Sequence, residues 1–214
     1  MDEEISIINT SSRIERIKNF FAKNKKTLIF FFSIIILIIF SSFAFKEIEN
    51  KKNKNIAEKY NEILVNFDLA NKNKYKTQFV EIINEKNSTY SPLALYFIID
   101  NEIEASNDEL NEFFDLIINE TKLDVEIKNL IIYKKGLFNS DFETENNLIK
   151  ILKPVISSDS VWKSHALYLI AEYFFDKNQK QKAKEFYNQI LSYEKSNENI
   201  VKETQKRLSS DFSE

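Results

Sequence analysis

Charged residues recur along most of this chain, and the longest stretch without one lies near its start. Between Lys26 and Lys46 there are none. The run opens with Thr27, Leu28, Ile29, Phe30, Phe31, Phe32 and Ser33. It continues through Ile34, Ile35, Ile36, Leu37, Ile38, Ile39 and Phe40 to Ser41, Ser42, Phe43, Ala44 and Phe45. As a helix these 19 residues would be about 28 Å long, close to the ~30 Å hydrocarbon thickness of a bilayer. The run is apolar all round, which suits lipid better than the edge of a soluble core. Its serines can bond back to carbonyls of their own helix. The expectation is a transmembrane helix over 27–45.

Beyond Phe45 the pattern changes to short amphipathic segments. Residues 46–54 are too polar to bury and predict an exposed helical stalk. From Asn55 to Ala70 the positions Ile56, Tyr60, Ile63, Leu64 and Phe67 form one helical stripe. Tyr75–Lys86 does the same with Phe79, Ile82 and Ile83. "STYSPLALYFIIDNEI" predicts a helix with Ser91 as N-cap and Pro92 at its first position. Ser106 with Glu109, and Ser140 with Glu143, stand at capping-box spacing. A helix from Asp124 holds Gly136, and the next is expected to stop before Pro154. Segments near 160–176, 180–193 and 197–209 follow. No segment alternates as a strand, and short connections predict antiparallel neighbours.

The sharpest internal signal is "ALYLIAEYFFDKNQKQKAKEFYNQIL". It carries the tetratricopeptide pattern of large, small and aromatic positions across two helices. The residues are Leu167, Ile170, Ala171, Phe174, Ala183 and Tyr187, with Ile190 closing the second stripe. Ala171 and Ala183 would let two backbones approach, with Phe174 and Tyr187 filling the space beside them. Asn178 stands where the turn usually has Gly, and Asn tolerates the left-handed conformation best after Gly. No clean 34-residue recurrence is visible elsewhere. The reading is therefore all-α: a transmembrane helix, then a tetratricopeptide-like array of helical hairpins over 55–210.

Composition supports this. The chain has 1 Gly, 2 Pro, no Cys and 1 His among 214 residues. Sheets and tight hairpins need positive-φ positions that so few glycines do not supply. Absent cysteine removes disulfides and thiolate metal sites. The net charge is −3. Residues 1–26 are basic overall, so the remainder is more acidic than that, and no basic face for nucleic acid emerges.

Charge speaks weakly about orientation. Arg13, Arg16, Lys18, Lys23, Lys25 and Lys26 precede the run; Lys46, Lys51, Lys52, Lys54 and Lys59 follow it. That near-tie leaves the positive-inside rule almost silent, with a slight preference for a cytoplasmic N-terminus. Ser42-Phe43-Ala44 reads as a small-x-small cleavage site. The apolar run, however, exceeds the roughly 7–15 residues of a signal h-region and the preceding segment is long, so an uncleaved signal-anchor is the better reading. Ile14, Ile17, Phe20 and Phe21 fall at helical spacing among basic residues. This is either a helix lying on an anionic leaflet or a flank that snorkels its lysines.

Little catalytic chemistry is on offer. His165 is the single histidine and there is no cysteine, so a His/Cys zinc site within one chain is excluded. His165, beside a helix start, reads as a surface residue or cap. One glycine excludes P-loops and dinucleotide loops. The carboxylates gather at helix starts, where they complement the dipole. The expectation is a non-enzyme with no catalytic, cofactor-binding or metal-ligating residues. It would bind neither nucleic acid nor small-molecule substrates, and would be a membrane-tethered scaffold for protein partners. A self-associating organiser of cell division or wall synthesis is the alternative.

The architecture resembles a bacterial family, the ancillary subunits of the Sec translocon, which share a domain with cell-division coordinator proteins. "RIERIKNFFAKNKKTLI", "IAEKYNEIL", "NSTYSPLALYFI" and "SVWKSHALYLIAEYFFDKNQKQKAKEFYNQIL" carry the resemblance. Trp162-Lys163 before the last hairpin is similar to the alphaproteobacterial members. Departures are a span that lacks the small residues many relatives have, and Ile99 where Ala or Gly is expected. The resemblance implies an inner-membrane protein with its N-terminus in the cytoplasm and its C-terminal domain in the periplasm. It also implies a place beside the translocon, handing emerging chains to periplasmic chaperones. In a bacterial chain the sequons Asn87-Ser88-Thr89 and Asn119-Glu120-Thr121 carry no message.

Overall fold

The computed structural model describes residues 15–16 and 18–212, and is all-helical there, without strands. Arg13, Ile14 and Ile17 of the basic segment lie outside the described residues. Two compact units divide at Asn55: Met1–Asn55 and Ile56–Glu214.

In the first unit residues 18–23 are helical, and a turn at Asn24 leads into the long helix α1, Lys25–Asn66. Asn24 donates both its backbone N–H and its side-chain amide to the Phe20 carbonyl. α1 contains one stretch long and apolar enough to cross a membrane, and none of it is buried by protein. Ser33 satisfies its hydroxyl by donating to the Ile29 carbonyl at 2.9 Å, so the run offers lipid little unpaired polarity. The polar residues 46–54 continue the same helix and are exposed.

The second unit begins with the last turns of α1, whose Ile56, Tyr60 and Ile63 are buried. Leu64 is exposed instead, and α1 ends at Asn66 rather than running to Ala70. A 3-10 segment, Leu69–Tyr75, follows, kinked at Asn71 and capped by Asp68. Then come α2 Lys76–Asn84, α3 Tyr90–Asp100, α4 Asn107–Glu120 and α5 Val125–Asn139. The last four are α6 Glu145–Ile156, α7 Lys163–Asp176, α8 Lys180–Ser192 and α9 Glu198–Asp211.

Consecutive helices pack side by side. Phe79 of α2 stacks on Phe97 of α3 at 4.6 Å between ring centroids, while Ser91 meets the Ile82 carbonyl. In α4 and α5, Asn111 pairs with Asn139 through reciprocal amide bonds of 2.9 and 2.8 Å, and Lys135 meets Asp115 at 2.8 Å. Phe174 of α7 stacks on Phe186 of α8 at 5.5 Å. Gly136 marks the tightest approach: a Cβ there would lie 2.4 Å from Cδ2 of Leu152 on α6.

Helices two apart are tied in a different register. Lys76–Glu109 is separated by 33 residues, Lys86–Glu120 and Ser160–Glu126 by 34. Gln179–Glu145 and Tyr193–Asp159 are also 34 apart, Asn197–Ser164 33 and Arg207–Glu172 35. Lys182–Glu145 and Lys195–Asp159, on the same two carboxylates, are 37 and 36 apart, so these ties span 33 to 37 residues.

Three expected helix boundaries are corrected. Ser91 is not the N-cap of α3: the helix starts at Tyr90, and the Asn87 carboxamide accepts from the backbones of Thr89 and Tyr90. Ser91 lies buried within the first turn. Its hydroxyl accepts from the Asn87 backbone and donates to the Ile82 carbonyl, bridging α2 to α3. Ser140 and Glu143 do not form a capping box. Thr144 caps α6, while the Ser140 hydroxyl donates to the Leu137 carbonyl at the end of α5. Pro154 lies inside α6, not beyond it. Pro costs a bond to the Lys150 carbonyl, but fully buried Leu152 and Val155 hold that turn in the helix.

Helix ends also use left-handed residues. Asn178 has φ 57°, as its place in the turn predicts, and Glu102 has φ 50°. Each closes a Schellman motif: Gln179 N–H donates to the Phe174 carbonyl and Ile103 N–H to the Ile98 carbonyl. Lys86, at φ 52°, occupies the corresponding place after α2. There the Ser91 hydroxyl stands between the N–H of Asn87 and the Ile82 carbonyl, in place of a direct bond.

Candidate protein-binding groove

The residues singled out for packing meet between α7 and α8. Leu167, Ile170, Ala171, Phe174, Ala183, Tyr187 and Ile190 are each no more than 1% exposed. They build the interior and leave no surface for a partner. Of the apolar run, every described side chain from Thr27 to Phe45 is exposed.

The open surface of the second unit lies elsewhere. Between α3, α4 and α5 there is a cavity of about 240 Å³ lined by Tyr96, Ile99, Asp100, Phe114, Lys134, Leu137 and Phe138. Its floor is aromatic: Phe114 lies 6.5 Å from Tyr96 and 5.9 Å from Phe138, centroid to centroid. The Tyr96 hydroxyl is buried with no hydrogen-bond partner among the described residues. Burial raises its pKa, so it stays a donor at any physiological pH. Lys134 Nζ sits 5.9 Å from the Tyr96 ring centroid. Ile99, the departure from the expected small residue, is one wall of this cavity.

Phe142 stands just past the end of α5, edge-on to Phe138 at 5.3 Å. It is 46% exposed and is the one exposed aromatic among the described residues of the second unit. Leu137, also exposed, lines the cavity. On the far side of the Leu137–Asp141 segment a second depression of about 170 Å³ is lined by Ser140, Asp141, Leu169, Glu172, Tyr173, Asp176 and Lys177. Hydropathy could not separate Phe142 from the buried aromatics. Its only sequence signal is its place after a helix, among Ser, Asp and Glu.

His165 is not the N-cap of α7, a place held by Trp162. It is half-buried, with its ring 5.2 Å from Trp162 and 5.9 Å from Tyr133, which itself stacks on Trp162. Its Nδ1 is buried without a hydrogen-bond partner among the described residues. Burial lowers its pKa, and the Val161 backbone partly opposes the shift. Among the described residues no group of three His, Asp or Glu side chains is placed to hold a metal ion. The cavity offers an apolar floor, one phenol, one carboxylate and one ammonium, which suits binding of an apolar side chain.

Comparison with protein-family models, curated proteins and solved structures finds no match for this chain.

Proposed function

We propose that this chain is a membrane-anchored, non-enzymatic scaffold whose tetratricopeptide-like helical domain binds protein partners. The observation that supports this reading is the set of polar ties between alternate helices, 33–37 residues apart in sequence. A 34-residue helical pair is the tetratricopeptide unit, and stacked units make extended binding surfaces. In this reading the pairs are α1 end/α2, α3/α4, α5/α6 and α7/α8, with α9 covering the last. The apolar part of α1 holds the domain at the membrane and raises its effective concentration near a membrane complex.

The resemblance to ancillary translocon subunits names the first partners to test. The Sec translocon would lie beside the span in the inner membrane. Periplasmic chaperones would meet the domain on the outer side, with the N-terminus in the cytoplasm. The test is in-cell cross-linking followed by purification of the full chain from mild detergent. Translocon subunits recovered with it support the reading, and their consistent absence overturns that assignment. Light scattering of the same sample separates the alternative: a stable homo-oligomer without them would favour a self-associating envelope organiser.

A further inference from the structure

We infer that a groove at the start of α1 binds one anionic phospholipid, its phosphate at Lys25 and an acyl chain along Ile29, Phe32 and Ile36. This rests on the reading of α1 as a membrane anchor. The groove encloses about 670 Å³ and runs from Phe21 and Ala22 past Lys25 to Ile29, Phe32 and Ile36, with Ser33 in its wall. Such a volume lies within the roughly 300–1,000 Å³ of small-molecule sites. Its residues recur three or four apart, so they share one helix face. That face continues past the turn at Asn24, whose N–H donates to the Phe20 carbonyl at 2.9 Å as inside a helix.

The groove is polarised along its length. Lys25, near one end, is its one charged lining residue among those described. Below it the walls are apolar, and the Ser33 hydroxyl is already spent on the Ile29 carbonyl. From Lys25 to Ile36 the helix rises roughly 17 Å, about half of the ~30 Å hydrocarbon core. An ammonium followed by one leaflet's depth of apolar wall is the order of parts in a phospholipid. No protein competes for this face, since none of the apolar window of α1 is buried among the described residues. Charge selects the headgroup. No Asp or Glu occurs between Glu15 and Glu47. Lys18, Lys23, Lys25 and Lys26 are all exposed there. At the other end of the run Glu47 and Glu49 stand among the lysines. A lysine close to a membrane surface favours anionic lipid by roughly fivefold.

The test uses the full chain in mixed vesicles of phosphatidylcholine and phosphatidylglycerol. The chain has no cysteine, so Asn19→Cys accepts a single fluorophore two residues before Phe21. Either lipid, carrying a nitroxide near the head of its acyl chain, serves as quencher at equal mole fraction. Phosphatidylglycerol should be preferred about fivefold or more. Lys25→Gln should bring the two lipids to within about twofold of each other. Lys26→Gln removes the same charge from a residue that does not line the groove, and should keep most of the preference. Equal loss in the two variants would mean diffuse attraction to the leaflet and would overturn the site. Equal quenching by both lipids in the labelled chain without either lysine change would overturn it as well. Flotation of the same vesicles tells the two readings apart. A chain that stays behind overturns the anchor and this site with it, whereas a chain that floats without lipid preference overturns the site alone.

Discussion

Arg207 on α9 forks onto the carboxylate of Glu172 on α7: its Nε donates to Oε1 at 3.1 Å and its Nη2 to Oε2. The Tyr187 hydroxyl of α8 donates to the same Oε1, so three helices meet at one carboxylate. Arg207 also lies over the Phe175 ring at 5.0 Å and reaches Asp211. The hydrogen bonds to Glu172 hold the guanidinium charged, well above its ordinary pKa. In a chain otherwise rich in lysine this is the one arginine after Arg16, and only a guanidinium can make the planar fork.

Arg207→Ala should therefore loosen α9 before the rest of the domain. The expected loss is about 1.5–3 kcal/mol, as for hydrogen bonds to charged groups. Hydrogen exchange should show protection falling first over 198–211, and Arg207→Lys should not restore it. Uniform loss of protection across α7, α8 and α9 would mean the fork is not what docks the last helix.

Gly136→Ala should destabilise despite a better helix propensity. The added methyl would meet Leu152 Cγ at 2.8 Å as well as Cδ2. Overpacking costs about 1–3 kcal/mol, against a gain of roughly 1 from propensity. The double variant Gly136→Ala/Leu152→Val should recover part of the loss in a denaturant melt. No recovery would place the strain elsewhere.

Left-handed residues predict opposite signs at two helix ends. Glu102, at φ 50°, has only a 3.8 Å pair to Lys72 to lose. Glu102→Gly should be stabilising by up to about 1 kcal/mol. Asn178→Val should cost about 1–2 kcal/mol, because a β-branched side chain resists φ 57°.

The Trp162 cluster predicts acid sensitivity. Burial depresses the His165 pKa in the folded state, so the unfolded chain takes up its proton first as pH falls below about 6.5. Between the unfolded and folded values ν_U exceeds ν_N, and stability rises with pH. The contribution is full above the unfolded pKa and is lost on acidification through that window. His165→Gln should flatten this part of the stability–pH curve without removing the carboxylate-driven loss at lower pH.

Integration of α1 is testable in the same protein. Ile36→Arg at the middle of the apolar run should disfavour insertion by about 2.5–3.5 kcal/mol on insertion scales. Carbonate extraction should then move a fraction of the chain from the membrane to the supernatant. An unchanged distribution would mean another element holds the chain to the membrane.

The long helix, the all-helical class and most helix positions were legible because periodicity and capping are local. Ser106 caps α4 where its spacing to Glu109 predicts, accepting from the Glu109 backbone at 3.1 Å. Ser140 and Ser91 mislead because serine caps, bridges and back-bonds with the same hydroxyl, and the neighbouring helix decides which. Pro154 misleads because burial of Leu152 and Val155 outweighs a local rule.

What the sequence by itself determined is where apolar surface gathers: in one helix long and apolar enough to cross a membrane for Thr27–Phe45, and in helix stripes for the rest. That information lies in spacing along the chain, on the scale of one helix turn. Tertiary structure alone decided which aromatics remain outside. Phe138 and Phe142 are four residues apart with similar chemistry, yet one packs against Phe114 and is partly buried while the other stands exposed. It alone paired Arg207 with Glu172, because residues about 34 apart become neighbours only when alternate helices stack.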